Sequence, residues 1–297
     1  MIEVFQQSLF IWLICVFVFS ALVGSFLNVV IYRLPEIMKR QWRCECSEFL
    51  ETKNPHEEKD SETFNLATPN SHCPHCNTPI KPWHNLPIIG YMLIKGKCAS
   101  CSVSISPRYP IIELITAALS TLIAYQFGVT IDSVLLILFL FILISMTMID
   151  ADEKLLPDSL TLPLMWIGIL IHTQPQILSS DLLNSVSLLD SIYGAAVAYL
   201  SLWTITFLYK VLRGKEGMGA GDFKLFAAFG AWFGLKALIP IILLSSVVGA
   251  IVGIIILTVQ KQSIEKTTLP FGPYLCGAAF LYIFFATEIL AVIFPQI

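Results

Sequence analysis

Apolar positions in this chain come in continuous runs rather than alternating with polar ones. Runs of roughly 17–25 residues match what a helix needs to cross a hydrocarbon core of about 30 Å. Their continuity argues against a barrel, whose strands alternate with period two. Eight spans are predicted, at about 8–31, 110–128, 131–149, 159–177, 189–210, 223–238, 239–259 and 273–294. The sixth is short, and its boundary with the seventh is placed near Pro240. The expected fold is an all-α polytopic membrane protein in three parts: a first transmembrane helix over 1–31, a loop domain over 32–109, and a helical bundle over 110–297.

Composition agrees with this pattern. The 297 residues are 56% hydrophobic and 13% charged, about half the charged fraction of a soluble domain. No Lys or Arg precedes Arg33, so the first run lacks the basic region of a cleavable signal. With both ends on one side, the loops at 32–109, 150–158, 211–222 and 260–272 and their flanks hold all of the 18 basic residues except Lys236. Positive charge marks the cytoplasmic side. These loops are therefore expected in the cytoplasm and both termini outside. The net charge of −3 gives no sign of nucleic-acid binding.

The loop domain divides into two halves. Residues up to about Ser71 are polar and mixed in charge, as in NPHEEKDSET, and read as a flexible insertion. Beyond them, SHCPHCNTPI and GKCASCSVSI carry Cys73, Cys76, Cys98 and Cys101 as two C-x-x-C knuckles. Such a pair can present four thiolates tetrahedrally to zinc, and a reducing cytoplasm disfavours disulfides. A closed four-thiolate site leaves no open coordination position, so the metal would be structural. A redox-active or incidental cluster is the competing reading. With four cysteines available, His72, His75 and His84 are expected to be bystanders. Cys44 and Cys46 form a pair with no second half and stay unassigned, while Cys15 and Cys276 fall in spans as packing residues.

Carboxylates at the edge of a membrane are costly, and that makes them candidates for function. Glu113, Asp150, Asp152, Asp158 and Asp222 qualify. Asp150 ends the third span in SMTMIDADEKLLPD, and Asp222 opens the sixth after GMGAGD. Both lie on the same rim in the expected topology. Two carboxylates that approach closely share a proton, so one can act as general base on a water while the other acts as general acid. That is aspartic-protease chemistry. A structural reading stands beside it: Asp222 caps the following helix, Asp150 and Asp152 are solvated helix ends, and Asp158 is a cap. Glu113 either binds a basic group or pairs with Arg108. The glycines do not fit a phosphate-binding loop. Gly219 and Gly221 could let backbone approach a bound peptide and adopt φ > 0, or let helices pack closely.

Taken together, the motifs resemble the type IV prepilin peptidases, which are leader peptidases and N-methyltransferases in one chain. The resemblance runs through GSFLNVVIYRLP at 24–35, the paired C-x-x-C loop, SPRYPIIELIT at 106–116, MIDADEKLLPDSLTLP at 148–163, GKEGMGAGDFKLFAAFGAW at 214–232 and PFGPYL at 270–275. It implies an intramembrane aspartic protease of the GxGD type, the class that includes presenilin, with Asp150 and Asp222 as the catalytic pair. It implies prepilins and pseudopilins as substrates, a basic leader cut on the cytoplasmic side after Gly and usually before Phe, and methylation of the new terminus from S-adenosylmethionine. It further implies a place in the bacterial cytoplasmic membrane, beside pilus or secretion assembly machinery. For the methyl donor it points to Gly96 and Lys97. Pro270 to Pro273 are expected to form a turn into the last span, His172 an outer rim residue, and 174–190 an extended external loop. Two other classes compete: a proton-coupled transporter using rim carboxylates as relays, and a membrane scaffold recruiting a secretion partner through the zinc loop.

Overall fold

A computed structural model describes residues 5, 8–52, 63–215, 217–260 and 269–293. Most of the acidic stretch NPHEEKDSET and the centre of the loop at 260–272 lie outside the described residues. The described chain is helical, with two isolated bridges and no strand among the described residues. Its long helices are α1 (Leu9–Phe49), α2 (Arg108–Phe127), α3 (Ile131–Glu153), α4 (Asp158–Ile171), α5 (Leu188–Arg213), α6 (Ala220–Phe233), α7 (Leu238–Gln260) and α8 (Gly272–Ile293). Two compact units form, Met1–Val129 and Thr130–Ile297, so α2 clusters with α1 rather than with the later helices.

Six of these helices are long and apolar enough to cross a membrane: α1, α2, α3, α5, α7 with the turn before it, and α8. Helices α4 and α6 have 14 residues each and extend about 21 Å, short of a hydrocarbon core. Among the described residues, six of the eight expected spans are thus helices of full spanning length, and the fourth and sixth are shorter. The fourth run breaks at His172, the C-cap of α4. The sixth ends at Gly234 rather than near Pro240, which lies inside α7. Gly234 takes a positive φ of 72°, a helix stop that favours glycine. A side chain there would meet Asp190 Oδ2 at 2.4 Å.

In the first unit, α1 runs through Pro35 to Phe49, although the residues after 31 read as the start of a loop. Its 41 residues span about 62 Å, twice the thickness of a core. The polar extension is supported by side-chain pairs one turn apart, Arg40–Glu36 at 3.4 Å and Gln41–Glu45 at 2.8 Å. Against α1 lies α2. A Cβ on Gly24 would sit 2.9 Å from the Glu113 backbone, the close approach that small residues allow between membrane helices. Asn28 donates to the Tyr109 carbonyl at 3.2 Å. Arg33 is buried and donates to the carbonyls of Asn65 at 3.0 Å and Pro69 at 2.6 Å. It thereby ties the segment before the first knuckle to α1.

The second unit is built around α6. Every residue from Asp222 to Phe233 except Lys224 is buried, as expected of a helix that is apolar nearly all round. That explains how a helix too short to span can be so hydrophobic: other helices surround it. Gly194 of α5 and Gly230 of α6 cross so closely that a Cβ on either would lie within 2.4 Å of the other's carbonyl oxygen. Polar bonds pin the far end of α6. Ser191 donates to the Ala231 carbonyl at 2.6 Å, and the Trp232 indole N–H donates to the Leu164 carbonyl at 2.8 Å. Phe139 of α3 closes the core with its ring centroid 4.8 Å from that of Trp232. The loop at 174–190 packs onto this unit. Leu178, Leu183 and Val186 are buried, and the Asp132 carboxylate accepts the backbone N–H groups of Ser179, at 2.9 Å, and Ser180.

Candidate functional site

Three helix ends meet in the second unit. Asp150 lies in the last turn of α3, Asp222 in the first turn of α6, and Gly272 opens α8. Asp150 and Asp222 are 6% and 8% exposed. Asp150 and Asp222 are near enough for charge on one to bear on the other, with buried Cys276 of α8 near both. The first N–H groups of a helix have no partner within it, and here the Gly272 N–H donates to Asp150 Oδ2 at 2.9 Å. Leu156 lies beside the starts of both α6 and α8. It contacts Gly272, and its Cβ would lie 2.7 Å from a Cβ on Gly221. The sequence-predicted pair is thus brought together by chain segments far apart in sequence.

Asp222 is not the N-cap expected of it but the third residue of α6, and one of its oxygens faces the true cap. Gly219 is the N-cap of α6, and the Asp222 carboxylate reaches back to the Gly219 backbone, as the third helical residue does in a capping box. The other oxygen, Oδ1, is buried without a hydrogen-bond partner. A buried acceptor in that condition costs free energy, and such costs persist where chemistry needs the group. Of the two readings of the glycines, backbone freedom is not used. Gly219 has an ordinary φ of −73°, and neither it nor Gly221 is among the residues with positive φ. At Gly221 glycine is required by the approach of Leu156 rather than by backbone freedom.

Asp158, expected as a cap, is instead an ion-pair partner. Lys224 Nζ lies 2.7 Å from both of its oxygens, linking the start of α4 to the first turn of α6. Sequence reading missed this pair and the Gly272 N–H. The signal for the second was present: PFGP places a helix start, with its orphan N–H groups, on the rim where a carboxylate was already suspected. Asp152 is exposed.

The cysteine cluster belongs to the first unit. The Sγ atoms of Cys73, Cys76, Cys98 and Cys101 all lie within 4.8 Å of one another, with Cys73–Cys101 at 3.8 Å and Cys76–Cys98 at 3.9 Å. Four sulfurs at about 2.3 Å from zinc would be separated by about 3.8 Å in a tetrahedron, so the residues fit that metal. Both knuckles use the same backbone. Cys73 N–H donates to the Thr78 carbonyl at 3.0 Å and Asn77 N–H to the Cys73 carbonyl at 2.9 Å; Cys98 with Val103 and Ser102 repeat the arrangement at 2.8 and 2.9 Å. The Thr78 hydroxyl, then its backbone, lowers the Cys76 thiol to about 6, and backbone N–H groups at Cys101 and Ser100 lower Cys98. Cys101 is helped by the Val103 N–H, yet burial and its neighbouring thiols push it up to about 12. A cation that neutralises the set removes that conflict.

Gly96, Lys97 and Glu113 serve the same loop. Gly96 has φ of +67° and lies against the Tyr91 hydroxyl, and its carbonyl accepts from Ile105 N–H at 2.8 Å. The Lys97 N–H bonds the Ile94 carbonyl at 3.0 Å, and Lys97 bridges to Ser104. These contacts are with the knuckle itself, so the geometry does not mark the two residues as a cradle for a methyl donor. Glu113 accepts the Ile88 N–H at 2.7 Å and also bonds Ser25. It is a strut between α1, α2 and the loop.

Comparison with known proteins places this geometry. The bacterial peptidase A24 N-terminal domain family matches residues 18–127, and the type IV leader peptidase family matches 137–254. A prepilin leader peptidase/N-methyltransferase of Stutzerimonas stutzeri is 44% identical over 290 residues, covering 98% of this chain and 96% of its own. The chain belongs to the type IV leader peptidase family. A Pseudomonas aeruginosa relative of the same name is 44% identical over 94% of this chain and 92% of its own, and one from Neisseria gonorrhoeae 45% over 87% and 85%. No solved structure matches. In this leader peptidase chain the N-terminal family match contains the cysteine loop, and the second match contains both buried aspartates.

Proposed function

We propose that this protein cleaves the leader of type IV prepilins or pseudopilins, with Asp150 and Asp222 as its catalytic pair, and N-methylates the product. One observation carries the proposal: in a leader peptidase chain, two buried carboxylates distant in sequence converge where three helix ends meet, one held by a helix N–H and the other keeping an oxygen without a partner. The pair holds one proton between them. The ionised carboxylate takes a proton from water as that water attacks the scissile carbonyl. The protonated one donates to the carbonyl oxygen, and collapse of the tetrahedral intermediate expels the amine with a proton from the pair. Gly272 keeps Asp150 aimed, and Leu156 with Gly221 sets the approach of Asp222. The family placement supports this reading over a transporter or a scaffold.

Zinc is proposed for Cys73, Cys76, Cys98 and Cys101 as a structural ion that fixes the knuckles and does no chemistry. S-adenosylmethionine is proposed as methyl donor, with no residues assigned to it. The knuckle loop and the catalytic rim are proposed to face the cytoplasm of a bacterial inner membrane, with both termini outside and the pilus or secretion machinery as neighbours. The test uses purified full-length protein and a peptide carrying a basic leader, Gly-Phe and an apolar helix, with and without S-adenosylmethionine. Mass spectrometry should find cleavage between Gly and Phe, and a product one methyl heavier only with the donor. Cleavage at wild-type rate by Asp150→Asn or Asp222→Asn would remove the assignment.

A further inference from the structure

Between the two knuckles runs a segment that metal binding does not explain. After the turn Pro82–Asn85 comes a short helix, Ile89–Leu93. Its inner side is closed: a Cβ on Gly90 would meet the His84 carbonyl oxygen at 2.3 Å. Its outer side carries Ile89, Met92 and Leu93, three and four residues apart on one helical face, with exposed Leu86 just before it. Ile89 is 59% exposed, Met92 69% and Leu93 65%. Trp83 is exposed beside them, with Lys81 Nζ 5.6 Å from its ring centroid. Lys95 and Lys97, also exposed, follow the helix. So concentrated an apolar face on a small loop marks a contact surface.

The structure also fixes where that face lies. Ile88, just before the helix, has φ of 59°, which a β-branched residue rarely adopts. Its N–H is held by Glu113, in the second turn of α2, at 2.7 Å. Since α2 is long and apolar enough to cross a membrane, its first turns mark the depth at which lipid begins. Helix Ile89–Leu93 is therefore tethered at that depth. The apolar face of α2 begins there too, with Ile111, Leu114 and Ile115 exposed. The geometry points to a bilayer as the occupant: Leu86, Ile89, Met92 and Leu93 dip into the leaflet on the loop's side, Trp83 lies in the headgroup layer, and Lys81, Lys95 and Lys97 meet anionic headgroups. Aromatic rings and lysines flanking a submerged apolar face are the composition of an interfacial segment. The segment would hold both knuckles against the membrane, independently of what the carboxylates do.

A photoreactive phenylalanine analogue placed singly at Ile89, Met92 and His75 of the full-length protein tests this. His75 is an exposed residue at the tip of the first knuckle. The variants are reconstituted in vesicles of phosphatidylethanolamine and phosphatidylglycerol, irradiated and weighed, with bound zinc measured to verify a folded loop. Lipid adducts about tenfold more abundant at Ile89 and Met92 than at His75 are expected for an immersed face. Equal adducts at all three positions, or adducts to a second copy of the chain in place of lipid, would overturn the proposal. A second reading comes from Met92→Asp, which should lower the share of phosphatidylglycerol among lipids copurifying with the protein while leaving zinc unchanged. An unchanged share, together with absent photoadducts, would overturn it equally.

Discussion

The cysteine loop and the carboxylate site solve the same problem, gathering like-charged groups, by different means. The loop does it locally. Two short hairpins with matching backbone bonds each deliver a pair of thiols, and an ion can cancel the charge. The carboxylate site does it over distance. The ends of α3, α6 and α8 must be placed by the whole second unit, and in the proposed mechanism the pair relieves its repulsion by sharing a proton. One site therefore depends on spacing within its own segment. The other depends on helix packing, on glycines at Gly194, Gly230 and Gly221 that allow it, and on a helix N–H aimed at Asp150. Damage to the first should be confined to the loop, whereas damage to the second can be inflicted from a distance.

The sharpest break comes at the carboxylates. Asp150→Asn and Asp222→Asn should each lower kcat for leader cleavage by roughly 10³-fold or more, within the range for losing an acid or base. The double variant should be no slower than the slower single one, because groups that act as a unit are not additive. Rates that multiply would show that the two residues act separately. Bound zinc, measured in the same preparations, should be unchanged. Next in size is the reverse experiment. Cys98→Ser with Cys101→Ser, or treatment with a strong chelator, should remove the metal and expose residues 72–105 to protease, since closed zinc sites contribute about 10–16 kcal/mol to the folding of small metal domains. Protection of the second unit should survive. Loss of protection in both units together would mean that the knuckles are not a local device.

A smaller loss is expected where packing supports chemistry. Gly272→Ala places a methyl 2.7 Å from Asp150 Oδ2 and 3.3 Å from Leu156, so the carboxylate or the helix end must shift. A displacement near 1 Å at reacting groups costs roughly 10²-fold. The loss should fall on kcat rather than KM, and zinc should stay bound. Gly219→Ala, with 3.6 Å to the nearest atom, should be nearly silent and serves as the matched control.

How much of this was legible follows from the same contrast. The knuckles could be read from the sequence because C-x-x-C spacing fixes their geometry within a few residues. The repeated backbone pattern around Cys73 and Cys98 was also visible in CPHCNTPIKP and CASCSVSISP, with Ile and Pro at matching offsets. The aspartates were legible as candidates, since carboxylates on a membrane rim are rare, but their meeting was not, because nothing in the local sequence states which helix ends touch. The shortness of the fourth and sixth helices was not legible for a related reason. Hydropathy reports how apolar a helix is, not whether lipid or protein surrounds it, and α6 is buried by α4 and α5 rather than by lipid. The extension of α1 beyond Pro35 was missed because a polar stretch reads as loop when its i,i+4 pairs are not counted. The ion pair between Asp158 and Lys224 had no signal at all.

That pair offers the finest discrimination. Lys224 lies two residues after Asp222 and Asp158 eight after Asp150, so the bridge ties together the two segments that carry the proposed catalytic pair, outside the buried site. Both side chains are partly exposed, with 54% and 30% accessibility for Asp158 and Lys224, which limits such a pair to about 0.2–1 kcal/mol. A loss of this size corresponds to a kcat reduction of about fivefold or less. Lys224→Ala and Asp158→Ala should each show it, and the exchange Asp158→Lys with Lys224→Asp should recover most of the rate, because the contact needs opposite charges and not a particular order. A structural cap at Asp158 predicts otherwise: the exchange would then be worse than either single change. High salt should erase the difference between wild type and Lys224→Ala. If the bridge only stabilises the fold, thermal stability should fall while kcat holds. If it positions the acids, kcat should fall at a temperature where every variant is folded.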